Sequence, residues 1–283
     1  MAPPLQNWPE EVNLLGTQNN ASRRPSHALL DWIAATGGFV TLLYTSFREA
    51  LQRLLKPKQY LQLIVEQFYL LGIQSLPLVI VAGIATGAVM ALQFGYGLKR
   101  YGGLSTVPML VGLSVFRELG PVFTSLLLAG RVGSGITAEL ASMSVTQQLD
   151  AVRALGTSPN STLVLPRIIA CFFAFPVLGL CSDYFSVITA MFVSLEEFGL
   201  DPSFYISKTF LRVHMPDLIT GISKLFIFGF IVALVACWKG ITTRGGTRNV
   251  GMATTWVVVT SSILILLGDV VLNKVFILMG LFQ

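Results

Sequence analysis

Residues 117–159 read RELGPVFTSLLLAGRVGSGITAELASMSVTQQLDAVRALGTSP, and this stretch decides how the chain is built. Its first half sets Arg117, Glu118, Arg131 and Glu139 in a run otherwise made largely of Leu, Val, Ala, Phe and Gly, flanked by sequence apolar enough to dissolve in lipid. A charge at such depth costs roughly 2.5–3.5 kcal/mol on insertion scales, so these groups turn toward protein, a cavity or one another. The second half is polar. From Ser144 the spacing predicts a short amphipathic helix: Ser144 and Gln147 have capping-box separation, Val145, Leu149 and Val152 share a face, and Gly156 with Pro159 ends it. A membrane helix that runs out into a capped polar helix can pass force to something in solution.

Composition agrees with a membrane setting. The 283 residues are 53% hydrophobic and 12% charged, and the mean hydropathy is +0.71, which lies with polytopic membrane proteins rather than soluble domains. The net charge of +5 reads as Lys and Arg anchoring the cytoplasmic side, and no basic patch with interleaved aromatics points to nucleic acid. Cys171, Cys181 and Cys237 sit in apolar runs without a CxxC pair, and His27 and His214 are isolated, so neither a metal site nor a nucleophile–base pair is expected.

Residues 1–27 are polar and rich in Asn and Pro, with no apolar core for a signal peptide and with acids that disfavour a transit peptide; they read as a disordered cytoplasmic tail. Residues 28–57 hold an apolar stretch interrupted by Asp31 and Gly37-Gly38 and followed by Arg48, Arg53 and Lys56, which suits a helix lying in the interface. Five spans are then expected: residues 67–98, free of charge; 104–139, which Gly120-Pro121 should kink or break; 163–195, kinked at Pro176; 205–238; and 252–282. With five crossings the basic residues of the tail, the short helix and the loop 239–251 all fall on the cytoplasmic side.

Two motifs need weighing. Gly130 to Gly135 has the outer glycine spacing of a phosphate-binding loop, but Ile136 stands where lysine is required and no strand precedes it, so any ATP is bound by another chain. Gly130, Gly133 and Gly135, together with Gly83 and Gly87, are instead read as helix-packing positions. Glu118 is the acid to single out, either as half of a structural pair or as part of a cavity wall that meets a polar head group. Asp183, Lys224 and Asp269 are candidates for pairing across helices. An intramembrane carboxylate also suits an ion-coupled carrier of an amphipathic substrate, which is the competing function.

The blocks RELGPV at 117–122, AGRVGSGITAELASM at 129–143, VTQQLDAVRALGTSP at 145–159 and GGTRNVGMATTWVVVTSS at 245–262, with the later Asp269, resemble the MlaE/YrbE family of ABC-transporter permeases. That family includes the trigalactosyldiacylglycerol-type lipid permeases of plastids, and the likeness runs from about residue 56 to the end of the chain. It implies a permease domain over 58–283, all-α with five spans, that forms a homodimer and moves phospholipid or glycolipid between membranes with an MCE-domain partner. It further implies two cytoplasmic ABC ATPase subunits that bind ATP and Mg, none being bound by this chain. These would dock on a coupling helix at about 144–155 through Ser144, Val145, Gln147, Gln148, Leu149, Asp150, Val152 and Arg153. The substrate cavity would include Arg117, Glu118, Leu119 and Pro121. Gln147 stands where the family commonly has Glu, which removes a charge from the expected ATPase contact. A bacterial, even cyanobacterial, inner membrane is the expected location, with a plastid inner envelope as the alternative.

Overall fold

The computed structural model describes residues 57–281, Thr157 excepted. The tail and the interfacial region expected at 1–27 and 28–57 therefore lie almost wholly outside the described residues. What is described is helical, with no strand, and five helical stretches are long and apolar enough to cross a membrane: Tyr60–Lys99, Leu104–Val145, Asn160–Phe198, Met215–Thr242 and Thr247–Leu278. The chain is an all-α, multi-pass membrane protein.

The first span is built from α1 (Pro57–Leu71), a 3₁₀ turn at Ile73–Ser75 and α2 (Leu76–Lys99). Along α2 the buried positions are Val79, Gly83, Gly87, Ala91 and Gly95, a single stripe at every fourth residue. That stripe carries almost no side-chain bulk, so α2 lies close against α7 (Leu165–Phe198). At the contact, the Ser186 hydroxyl donates to the Gly83 carbonyl at 2.8 Å. Helix α7 is the central element: it packs on α1, α2 and α9 (Met215–Thr242) and runs through Pro176 without interruption. Helix α10 (Thr247–Leu278) packs on α9 and on α5 (Ser134–Val145), and leaves most of its apolar surface outward.

The second span departs from expectation. Gly120-Pro121 does not break it. Helices α3 (Val107–Ser114), α4 (Gly120–Leu128) and α5 follow one another through two π-helical turns, Val115–Leu119 and Ala129–Gly133. Pro121 has no N–H to give to the carbonyl of Arg117 four residues earlier, and the Lys224 ammonium donates to that carbonyl at 2.9 Å. The widened turn thus accommodates the proline while keeping the path helical.

The fourth span is shorter than the sequence reading. Residues 205–212 belong to a separate amphipathic helix, α8 (Pro202–Arg212), with Asp201 as its N-cap. Val213 and His214 are extended, and α9 begins at Met215. Pro216 cannot donate to Arg212, so a helix entering from α8 must stop. Asp217 then accepts from the His214 N–H at 2.9 Å and caps the new start. The basic loop contracts to residues 243–246, because α9 extends to Thr242 and α10 begins at Thr247.

The short polar helix α6 (Gln148–Ala154) also differs from its predicted form. Ser144 is still inside α5, and its hydroxyl donates to the Ile241 carbonyl at 3.1 Å. No side-chain cap forms; Gln147 itself occupies the N-cap position, in the left-handed region at φ 59°. The reason is that α5 overruns the predicted cap by a residue, and the chain then turns sharply to begin α6. Leu149 faces inward and is buried, Val145 and Val152 are half-buried, and Leu155 is 83% exposed. Of the apolar face expected to meet a partner, Leu149 is therefore covered by the chain's own body, while Val145 and Val152 stay partly open.

Candidate functional site

Two places collect polar side chains that the fold does not otherwise require. The first lies within the spans. The π-helical turn at Val115–Leu119 presents Arg117 and Glu118, α9 contributes Asp217 and Lys224, and α10 contributes Asp269 and Asn273. Lys224 is fully buried and its ammonium has three acceptors: Glu118 Oε2 at 2.8 Å, Asp269 Oδ1 at 2.8 Å and the Arg117 carbonyl at 2.9 Å. It donates hydrogen bonds to Glu118 and to the Arg117 carbonyl and forms an ion pair with Asp269. Asn273 donates its amide to Glu118 Oε2 at 3.0 Å and to Asp269 Oδ2 at 3.3 Å, closing the network. Beside it the Arg117 guanidinium grips Asp217 Oδ1 with Nη2 at 2.5 Å and Nε at 2.6 Å.

The position of this cluster matters as much as its bonds. At 1.5 Å per residue, Lys224 lies about 14 Å along α9 from Met215, and Asp269 about 14 Å along α10 from Leu278. Both are thus a comparable distance from the end of the bundle opposite α6. Two cations meet three carboxylates there, and the burial is one-sided. The Lys224 side chain is 0% exposed while that of Glu118 is 40% exposed. Leu119 is half-buried and Pro121 buried beside it. A hydrogen-bonded carboxylate partly open to one side, within membrane-spanning helices, can meet a polar group brought to it by a substrate or by another chain.

Of the residues singled out by sequence, Arg117, Glu118, Lys224 and Asp269 come together, but Arg117 and Glu118 do not pair with each other despite being adjacent. Asp183 stays apart. It is buried against Gly120, where an added Cβ would overlap its carboxyl oxygen. Asp217 and Asn273 were missed. Asp217 follows Pro216 three residues after His214, the spacing of a helix start, and Asn273 stands four residues after Asp269, one turn along the same face. Those were the signals that could have found them.

The second place is at the far end of the bundle. A cleft of about 310 Å³ opens between α6 and the loop 243–246, lined by Gln147, Asp150, Arg153, Arg244 and the end of α9 at Ile241. Arg153 Nη1 pairs with Asp150 Oδ1 at 2.9 Å, both exposed, which contributes little to stability. Nearby, Arg167 is buried and joins three spans: it meets Glu139 at 2.7 Å, and its Nε donates to Gln67 at 3.4 Å. Among the glycines, Gly83, Gly87 and Gly133 face neighbouring helices, whereas a Cβ at Gly130 or Gly135 meets nothing within 4 Å among the described residues.

Residues 64–275 match the family model described as Permease MlaE. The chain belongs to the permease MlaE family. Among curated relatives of this MlaE-family permease, a probable ABC transporter permease protein of Rickettsia prowazekii is 39% identical over 227 residues, covering 80% of this chain and 88% of the relative. A probable ABC transporter permease protein of Synechocystis is 34% identical over 209 residues, 74% of this chain and 80% of its own. One from the red alga Porphyra purpurea is 32% identical over 232 residues, 82% and 87% respectively. The matched region of the MlaE-family permease begins within α1 and ends within α10, so it takes in both polar sites. The chain is an ABC transporter permease, a membrane subunit with bacterial, cyanobacterial and red-algal relatives.

Proposed function

We propose that this chain is the permease of an ATP-driven transporter that moves phospholipid or glycolipid between membranes. It acts as a homodimer in a bacterial inner membrane, with two ABC ATPase subunits at the α6 end and an MCE-domain protein at the other. The observation that carries the reading is the cluster Glu118–Lys224–Asp269–Asn273, held within the spans and open on the side of Glu118. Charge set at that depth is costly and marks a functional site by default, and a polar head group crossing hydrocarbon needs such partners. In this reading Glu118, with Arg117, Leu119 and Pro121, lines the substrate path. ATP and Mg belong to the ATPase subunits. The coupling surface is the outward side of α6, where Gln148, Asp150, Ala151, Arg153 and Leu155 are exposed. Gln147 and the half-buried Ser144, Val145 and Val152 support it from behind, with Leu149 anchoring the helix to the body.

Helix α9 offers a route for force. It runs without interruption from Asp217 and Lys224 at one end to Ile241 beside the α6 cleft, a length of about 42 Å over its 28 residues. The test is affinity purification from the native membrane with mass spectrometry of proteins and lipids. An ATPase and an MCE-domain protein should co-purify with enriched lipid. The double variant Ala151→Asp, Leu155→Asp should lose the ATPase while inserting normally. A chain that emerges alone and lipid-poor overturns the reading.

A further inference from the structure

Beneath α8, at the end of the bundle opposite α6, lies a crevice of about 400 Å³. The third span separates the two ends: its 39 residues, Asn160–Phe198, extend about 58 Å, with α6 before its first residue and α8 after its last. The crevice walls come from the outer end of α7 (Ile188, Met191), from α8 (Ile206), from the first turn of α9 (Met215, Leu218) and from Phe116. It is separate from the Glu118 network.

Three observations define what fits. First, no charged side chain lines the crevice. Its polar side chains are Tyr184, Tyr205 and Thr209, all hydroxyls, and that of Thr209 is already committed to the Tyr205 carbonyl at 2.9 Å and the Pro108 carbonyl at 3.4 Å. A charged group would lose its hydration there with no counter-charge in return. Second, the rim is apolar and outward-facing: Phe210 is 77% exposed, Leu211 69% and Met215 73%. In a multi-pass chain an exposed apolar rim of this kind suits contact with lipid rather than with water. Third, its volume falls at the lower end of the range of about 300–1,000 Å³ for small-ligand sites. That suits one chain rather than the two of a bilayer lipid.

We infer that this crevice binds a single acyl chain of a bilayer phospholipid, and that the chain seats against the elements holding the Arg117–Asp217 ion pair. Phe116 immediately precedes Arg117 in the π-helical turn, while Met215 and Leu218 flank Asp217 in the first turn of α9. Gly221 brings those elements together, since only a residue without Cβ clears the Phe116 carbonyl. A chain in the crevice therefore touches both segments that carry the pair and braces the entrance of α9 against the second span. The inference rests on the chain spanning a bilayer, not on the transport reading.

The test uses the full chain in phosphatidylcholine vesicles carrying a trace of phosphatidylcholine with a diazirine on one chain, illuminated and mapped by mass spectrometry. Label should concentrate on residues 184–191 and 205–218, about tenfold over the exposed apolar Val259, Leu267 and Val270 of α10, a ratio corresponding to about 1.4 kcal/mol of preference. Ile188→Trp, which fills the crevice, should abolish the excess without altering the size-exclusion profile. Ile206→Trp, which narrows it from the more exposed α8 side, should do the same and carries the test if the first variant does not fold. Label spread evenly over α7, α8 and α10 means ordinary boundary lipid and overturns the site, as does an excess that survives either folded variant. Because the readout needs neither ATPase nor transport, its failure leaves the transport reading standing, and the reverse holds.

Discussion

Gly87 and Gly97 lie on the same helix, α2, and should respond oppositely to the same change. A Cβ on Gly87 would be driven into the Ser186 backbone of α7, whereas one on Gly97 meets nothing within 4 Å among the described residues. Backbone cannot yield as a side-chain tip can, so Gly87→Ala forces the two helices apart; overpacking of this kind costs about 1–3 kcal/mol. Gly97→Ala removes only backbone freedom from a helix interior and should be neutral or stabilising by about 0.5–1 kcal/mol. Thermal unfolding in detergent, followed by loss of the monodisperse peak, should place Gly87→Ala well below the parent and Gly97→Ala at or above it. Equal transitions for the two would mean that α2 and α7 are not in close contact. The contrast was only half legible in the sequence: the Gly83-x-x-x-Gly87 step announces a contact, but nothing local says which glycines of a span face a neighbour, as Gly130 and Gly135 make plain.

Helix α8 shows how an element can hide inside an apolar run. Its residues are hydrophobic enough to extend the fourth span on paper. The division is made by Pro216 and by two acids: Asp217, which caps α9, and Asp201, whose carboxylate takes the Phe204 N–H at 3.1 Å together with the Ser203 hydroxyl. The Ser203 hydrogen bond, then the Phe204 N–H, hold the Asp201 carboxyl below its ordinary range. The sign follows directly. A carboxyl with a lowered value in the folded state adds stability above its unfolded value of about 3.9, and that contribution fades as pH falls through the folded value. Hydrogen-exchange protection of the first turn of α8 should therefore be constant from neutral pH to about 5 and decline below about 4. Asp201→Ala should lower protection at every pH and abolish the dependence. A parent protein whose α8 protection stays flat down to pH 3 would show that this cap does not anchor the helix.

Across the whole molecule, the number of spans was readable because each crossing needs about 20 apolar residues, a property of a contiguous stretch. The polar cluster was readable only in part: Glu118, Lys224 and Asp269 stand out as charges in apolar runs that must find partners, but which partner each finds is set by tertiary packing, since Glu118 meets Lys224 and Asn273 on two other helices and Arg117 passes over its neighbour for Asp217. Periodicity finds the apolar side of a helix but not whether it meets a partner or the chain's own body, and Leu149 is buried at home. The cluster thus ties three spans together at one buried ammonium, and it separates folding from transport in a way that can be measured. Lys224→Met alone leaves Glu118 and Asp269 facing each other without their cation. Breaking such a buried pair costs about 3–5 kcal/mol, and the lower figure applies here because Glu118 is partly open. That variant should lose its monodisperse, cooperatively unfolding form. The triple variant Glu118→Gln, Lys224→Met, Asp269→Asn removes every charge of the ammonium site at nearly constant volume, and replacing a whole buried ion cluster is often neutral or stabilising. It should fold, insert and bind the ATPase like the parent, yet move no lipid in a reconstituted assay. If Lys224→Met proves as stable as the parent, the ammonium does not hold the three spans together. If the triple variant transports at the parental rate, the charges serve folding alone, and the substrate path must be sought elsewhere on the molecule.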